Sequence, residues 1–197
     1  TIEVDLCGHA TLATARILFD EYLPSTETTI IFQYKGGLIE ARTEGDLIHL
    51  DFPNDDPKKV RNISILNNIL QIKPDSFYKG RDDYLAIYAD ADLVLNANPS
   101  VANLKKLRAR GLIISAPGRD TDIISRCFYP RIGVNEDPVT GSAHTLLTPS
   151  WSKKLGKLKL TAHQASGRGG YLECESKGDR TIVGGYTAQS IAGGAQT

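Results

Sequence analysis

Two stretches far apart in this chain match without a gap. "GGLIEARTEGD" at residues 36–46 and "GGYLECESKGD" at 169–179 share Gly36/Gly169, Gly37/Gly170, Glu40/Glu173, Gly45/Gly178 and Asp46/Asp179, an offset of 133 residues. The same offset carries "EVDLCGHA" onto "EDPVTGSA", setting Glu3 against Glu136, Cys7 against Thr140, Gly8 against Gly141, His9 against Ser142 and Ala10 against Ala143. Separate blocks at one offset mark a duplicated unit, and repeated units fold as equivalent modules. The chain is therefore expected to build two similar lobes. Two residues precede Glu3, whereas about 80 lie between Phe52 and Glu136. Equivalence of the copies then calls for roughly 60 to 80 further residues ahead of Thr1 to complete the first lobe.

The local pattern gives each lobe a helix and a set of hairpins. Residues 9–22 read as a helix apolar on most sides, which has to be enclosed by other structure. "TTIIFQYKGGLIEARTEGDLIHLDF" reads as antiparallel hairpins turning at Gly36-Gly37 and at Glu44-Gly45-Asp46. Pro53 to Pro57 make a break. Beyond it, 58–72 has helical spacing, "YLAIYA" and "ADLVLNA" resemble short strands or strand edges, and "VANLKKLRARG" reads as a helix stopped at Gly111. "LIISAPG" and "DIISRCFYP" are strands, "NEDPVTGSAHTLLTPSW" enters a second helix shortened by Pro149, and strands from "KLKLTAHQ" to "TIVGG" close the second lobe. The class is α+β, two similar lobes each with an antiparallel sheet around one helix. The expected division is a first lobe at 1–53, a second at 54–185, and a tail at 186–197 packing back on the first.

Lys plus Arg equal Asp plus Glu at 23 each, which removes any bulk electrostatic argument for nucleic acid or an anionic membrane. No apolar run is long enough to span a bilayer. Cys7, Cys127 and Cys174 form no C-x-x-C pair and leave an odd count, which favours a reducing, cytoplasmic setting over a disulfide framework. The ligand expected is a small molecule.

A helix start offers unpaired N–H groups and a positive dipole end, so it draws carboxylates, and glycine lets a ligand approach the backbone. Two equivalent lobes could aim both helix starts, at Gly8 and Gly141, into one cleft. His9 would then stand opposite Asp137 and Ser142, a histidine and an acid for proton transfer beside amides that stabilise developing charge. Each residue has a plainer role: Asp137-Pro138 as a helix opening, His9 and Ser142 as turn residues, Cys7 as an apolar filler. Their matched positions in the repeat favour the functional one.

"DLCGHATLATA" and "NEDPVTGSAH", with "LDFP" near residue 50 and "GRGGYLECE" in the second lobe, resemble the signatures of the PhzF-like (phenazine-biosynthesis-like) isomerase family. That family shares the two-lobed fold of diaminopimelate epimerase. The resemblance implies an isomerase without cofactor or metal, a homodimer with its site between the lobes. It places the family's histidine on His9, its aspartate on Asp137, its serine on Ser142 and its ligand-side glycines on Gly8 and Gly141. The family's acid/base glutamate would lie upstream of the Gly-His turn. Diaminopimelate epimerase uses paired cysteines at the two helix starts; here those positions hold Cys7 and Thr140, so a two-thiol racemisation is disfavoured.

The rival readings come from other classes. A serine hydrolase on Ser142 lacks the G-x-S-x-G elbow. A metal site from Cys7, His9 and His144 has no recognised spacing, and His49 and His163 fall in strands. The lysines of "SKKLGKLK" at 152–159 fit a solvated face. A small-molecule binder that keeps the fold without the chemistry is the alternative function.

Overall fold

The computed structural model describes residues 7–61 and 64–187. In chain order the first copy runs through helix α1 (Gly8–Ile17) and strands β1 (Thr29–Tyr34), β2 (Gly37–Glu44) and β3 (Leu47–Pro53). Between the copies lie β4 (Lys58–Val60), α2 (Ser64–Ile69), β5 (Ser76–Lys79), β6 (Asp83–Ile87), α3 (Ala91–Leu95), α4 (Val101–Leu104), β7 (Gly111–Pro117), β8 (Ile123–Tyr129) and β9 (Val134–Asp137). The second copy is α5 (Gly141–Leu155), β10 (Lys159–Gln164), β11 (Gly170–Lys177) and β12 (Arg180–Tyr186).

The repeat is visible in the backbone. α1 and α5, β2 and β11, and β3 and β12 each start 133 residues apart. Both hairpins turn on a glycine with positive φ, Gly45 at 61° and Gly178 at 64°, where a Cβ would be strained. Registers agree as well: Glu44 faces Leu47 and Lys177 faces Arg180. Glu3 and the C-terminal tail beyond residue 187 lie outside the described residues.

The strands form one sheet in the order β1-β2-β3-β12-β11-β10-β8-β7-β6-β5-β4, with β9 on the side of β8. The copies join where β3 pairs antiparallel with β12, Leu47 against Tyr186 through to Pro53 against Arg180. Leu50 there faces Val183, its own repeat mate, so the seam has a local two-fold axis. The strands of both copies thus share one sheet, and after Pro53 the chain crosses to its far edge, where β4 pairs with β5. Two pairings, β6 with β7 and β8 with β10, are parallel within an otherwise antiparallel sheet.

Side-chain alternation splits the core. Ile113, Ile123 and Cys127 face a cluster with Phe52, Leu147 and Trp151, while Leu112, Ile114 and Ile124 face another with Leu66, Ile69 and Leu104. A strand buried on both faces reads as a continuous apolar run, as "LIIS" does.

Four local expectations are corrected. Residues 58–60 are not helical but pair with Phe77–Lys79; the helical spacing belonged to Leu66 and Ile69 of α2, whose side chains are buried. "ADLVL" is helix α3, not strand, because the Asp90 carboxylate accepts from the Asp92 N–H at 2.8 Å and caps it. In "VANLKKLRARG" only α4 is helical, and Gly111 begins a strand. Pro149 does not shorten α5, which continues to Leu155. The Thr145 carbonyl that proline leaves without its helical donor accepts instead from the Asp55 N–H at 3.1 Å. The first helix also changes pitch, with wider π turns over Leu18–Tyr22. Among the described residues no helix is long and apolar enough to cross a membrane.

Candidate active site

Both repeat helices begin in the same unusual way. Their N-caps, Cys7 (φ −122°, ψ 92°) and Thr140 (φ −125°, ψ 97°), are extended, neither gives a side-chain cap, and neither first turn holds an acid. A methyl built on Gly8 would lie 3.5 Å from the Gly141 Cα, and one built on Gly141 would lie 3.7 Å from the Gly8 Cα. Two uncapped helix starts therefore meet glycine to glycine, and their free N–H groups and positive dipole ends share one place. A cavity of about 410 Å³ opens there, lined by Gly8, His9 and Gly141 and walled by Leu12, Phe52 and Val139. Arg168 and Tyr171 also line it, and the Tyr171 ring stacks on His163 with centroids 4.6 Å apart.

Asp137 and Ser142 belong to the turn that enters α5 but are not among the residues lining that cavity. The turn is held by Gln164, which is fully buried. Gln164 Oε1 accepts from the Thr140 N–H at 2.8 Å, and its Nε2 donates to the Asp137 carbonyl at 2.7 Å and to Thr140 Oγ1 at 3.1 Å. The Thr140 hydroxyl, having accepted from Gln164, donates to Asp137 Oδ2 at 2.6 Å. That bond takes the hydroxyl away from capping α5 and fixes the Asp137 carboxylate. Neighbouring Glu136 is committed to Arg126, whose Nε and Nη2 reach its two oxygens at 2.7 and 2.9 Å.

Ser142 Oγ accepts from Arg110 Nη1 at 3.0 Å. Arg110 in turn grips the buried Asp83 through Nε at 3.0 Å and through Nη2. Burial alone would lower the Arg110 pKa, but the Asp83 carboxylate and Tyr129 outweigh it and leave the guanidinium more firmly protonated than usual. A serine facing an arginine has no base beside it, which argues against the hydrolase reading.

His144 is fully buried, and its Nδ1 lies 2.8 Å from the Thr140 carbonyl. Burial lowers its pKa to about 4 despite that bond, so the ring is neutral at pH 7 and carries its proton on Nδ1. Its repeat mate makes the same back-bond: Thr11 Oγ1 donates to the Cys7 carbonyl at 3.0 Å. His144 thus bonds the backbone through Nδ1. Among the described residues no cluster of three His, Cys, Asp or Glu is arranged to hold a metal ion. Cys7 is exposed, whereas Cys127 and Cys174 are buried, their thiols pushed up to about 12 by burial. His49 and His163 lie in β3 and β10, as expected.

Sequence reasoning missed Gln164, Asp83 and Arg110. Gln164 left a trace, because Leu160 and Ala162 precede it at the inward positions of β10. A glutamine on the buried face of a strand needs partners.

The sequence pattern of the family described as phenazine biosynthesis-like protein matches residues 1–196. An uncharacterized isomerase of Pseudomonas aeruginosa is 41% identical over 192 residues, covering 98% of this chain and 73% of that protein. The crystal structure of a phenazine biosynthesis protein of the PhzF family from Enterococcus faecalis superposes with a TM-score of 0.87 at 40% identity, over 93% of this chain and 70% of that one. At the level of fold alone, a hydroxyproline epimerase from Agrobacterium vitis matches with a TM-score of 0.52 at 9% identity, over 90% of this chain and 62% of its own. The fold is the α+β, diaminopimelate epimerase-like one.

Proposed function

Because the chain belongs to the phenazine biosynthesis-like protein family, we propose that it is a cofactor-independent isomerase that shifts a proton on a small carboxylic acid. The isomerase name of its relative in Pseudomonas aeruginosa supports the reaction class. The observation that carries the reading is the contact of two uncapped helix starts, at Gly8 and Gly141, beside a largely apolar cavity. Free amides suit the carboxylate, and apolar walls suit the body of an unsaturated or ring-bearing acid.

In this mechanism the substrate carboxylate docks at the start of α5, on the amides of Gly141 and Ser142 and on the Ser142 hydroxyl. A base takes a proton from carbon, the electron pair moves through the conjugated system, and a proton returns at its far end, with no net oxidation. The resemblance assigns the carbon-facing acid/base to a glutamate upstream of the Gly8-His9 turn. His9 and Asp137 hold polar substituents and relay protons. Asp137 is preset for this by the Gln164–Thr140 chain.

The test is to incubate the protein carrying the segment expected ahead of Thr1 in deuterium oxide with a panel of unsaturated, aromatic and amino carboxylic acids, following deuterium at carbon by NMR. Incorporation should occur with the wild type and fall at least about 100-fold in Asp137→Ala. An equal rate in that variant excludes Asp137 from the chemistry. Saturable binding without exchange anywhere in the panel would favour the non-catalytic binder.

A further inference from the structure

Ser142 has one proton to donate, and its surroundings limit where that proton can point. Arg110 Nη1 donates to Ser142 Oγ, and a guanidinium has no lone pair with which to accept in return. The serine proton therefore points away from Arg110. Among the described residues no acceptor takes it; the other side-chain hydrogen bond at this residue is at its carbonyl, which accepts from Thr145 Oγ1 at 2.8 Å.

Arg110 is itself locked. Two of its nitrogens hold Asp83, which is 2% exposed, and its guanidinium lies 4.9 Å from the Tyr129 ring centroid. Asp83 is paired with Gly111, the residue after Arg110, across the β6–β7 register. Gly111 in turn has no room for a side chain, since a Cβ there would come within 2.2 Å of the Tyr129 ring. The arginine backbone is thus fixed close to both of its partners. Asp83 also offsets the charge of Arg110, so the pair supplies direction more than net attraction.

We propose that Arg110, held by Asp83, is a positioning residue that turns Ser142 into a fixed hydrogen-bond donor toward a carboxylate at the uncapped start of α5. This rests on the reading of that helix start as the seat of the substrate carboxylate. A hydroxyl that accepts from a cation is also polarised into a better donor. Lysine could keep the ion pair with Asp83 but has no second planar arm for Ser142.

Benzoate is the probe, titrated by NMR into the full chain as wild type, Arg110→Lys, Ser142→Ala and the double variant, with thermal unfolding followed in parallel. Each single change should weaken benzoate about tenfold, and the double variant should be no weaker than Ser142→Ala. Additive, roughly hundredfold weakening in the double variant overturns the inference, because Arg110 would then act on the anion independently of Ser142. An unchanged affinity in Arg110→Lys overturns it too. If Arg110→Lys does not fold, the neutral pair Arg110→Gln with Asp83→Asn replaces it under the same expectations. A second readout needs no ligand: Ser142→Ala should speed solvent exchange of the Arg110 Nη protons at least about tenfold, and unchanged exchange overturns the contact. Absence of saturable benzoate binding to the wild type removes the seat itself and this inference with it, whereas additivity removes only the inference.

Discussion

The two helix starts have the same backbone and, among the described residues, different side-chain partners. Around Thr140-Gly141-Ser142, the N-cap hydroxyl is tied to Asp137, its N–H to Gln164, its carbonyl to His144, and the serine to Arg110. Around Cys7-Gly8-His9, the N-cap is exposed and its carbonyl accepts from Thr11. Tyr34, which pairs with Gly37 as Gln164 pairs with Gly170, takes the place of the glutamine. Duplication fixed where the donors converge, and the side chains then divided the work. The second start is braced by side chains on both flanks, and the first brings His9 to the cavity wall.

The comparison breaks most severely at Gln164. Gln164→Leu keeps the volume but strands the Thr140 N–H and the Asp137 carbonyl, and should cost about 4 kcal/mol in urea unfolding; Tyr34→Leu should cost much less. A loss below about 1 kcal/mol for Gln164→Leu would mean the frame is held by something else.

Next in size is His144. Its folded pKa of about 4 lies below the ordinary 6.5, so the unfolded chain takes up its proton first as pH falls. Its contribution is complete above pH 6.5 and declines toward pH 4, by about 3 kcal/mol in all. His144→Asn should remove that part of the acid sensitivity, seen as a smaller stability difference between pH 7 and pH 4. Thr11, its counterpart, does not titrate, and Thr11→Val should leave the pH dependence unchanged.

Smaller still, Gly45→Ala and Gly178→Ala each place a Cβ at positive φ and should each cost about 1 kcal/mol. Equal losses in thermal unfolding support equivalent turns; unequal ones would show that the hairpins have diverged. The mildest probe is thiol labelling, in which Cys7 should react in the native protein while Cys127 and Cys174 wait for unfolding, since both are buried with raised pKa values.

What the sequence made legible was whatever repeats or turns locally. The offset of 133 located both helix starts and both hairpins, because glycines at fixed spacing and alternating strands are local signals. The β3–β12 seam and the parallel β8–β10 pairing were not legible, since their partners come from distant parts of the chain and leave no local mark. Helix α3 was misread because "ADLVL" has strand-like composition and its cap, Asp90, lies just before it. Of the residues singled out, Gly8, His9 and Gly141 line one cavity, whereas Asp137 and Ser142 do not. Arg110 and Asp83 were hidden because an Arg-Ala-Arg-Gly run looks like an ordinary solvated turn until a second strand is laid beside it.

The seam at Leu50 and Val183 has the symmetry of a homodimer interface, yet both sides come from one polypeptide. In a true homodimer any change near the axis is made twice, once in each subunit, and association weakens on dilution. Here a change can be made on one side alone, and dilution cannot part the halves. That freedom let one copy acquire the Gln164–Thr140–Asp137 chain and the Arg110–Ser142 pair while its twin carries Cys7 and His9 at the matching positions.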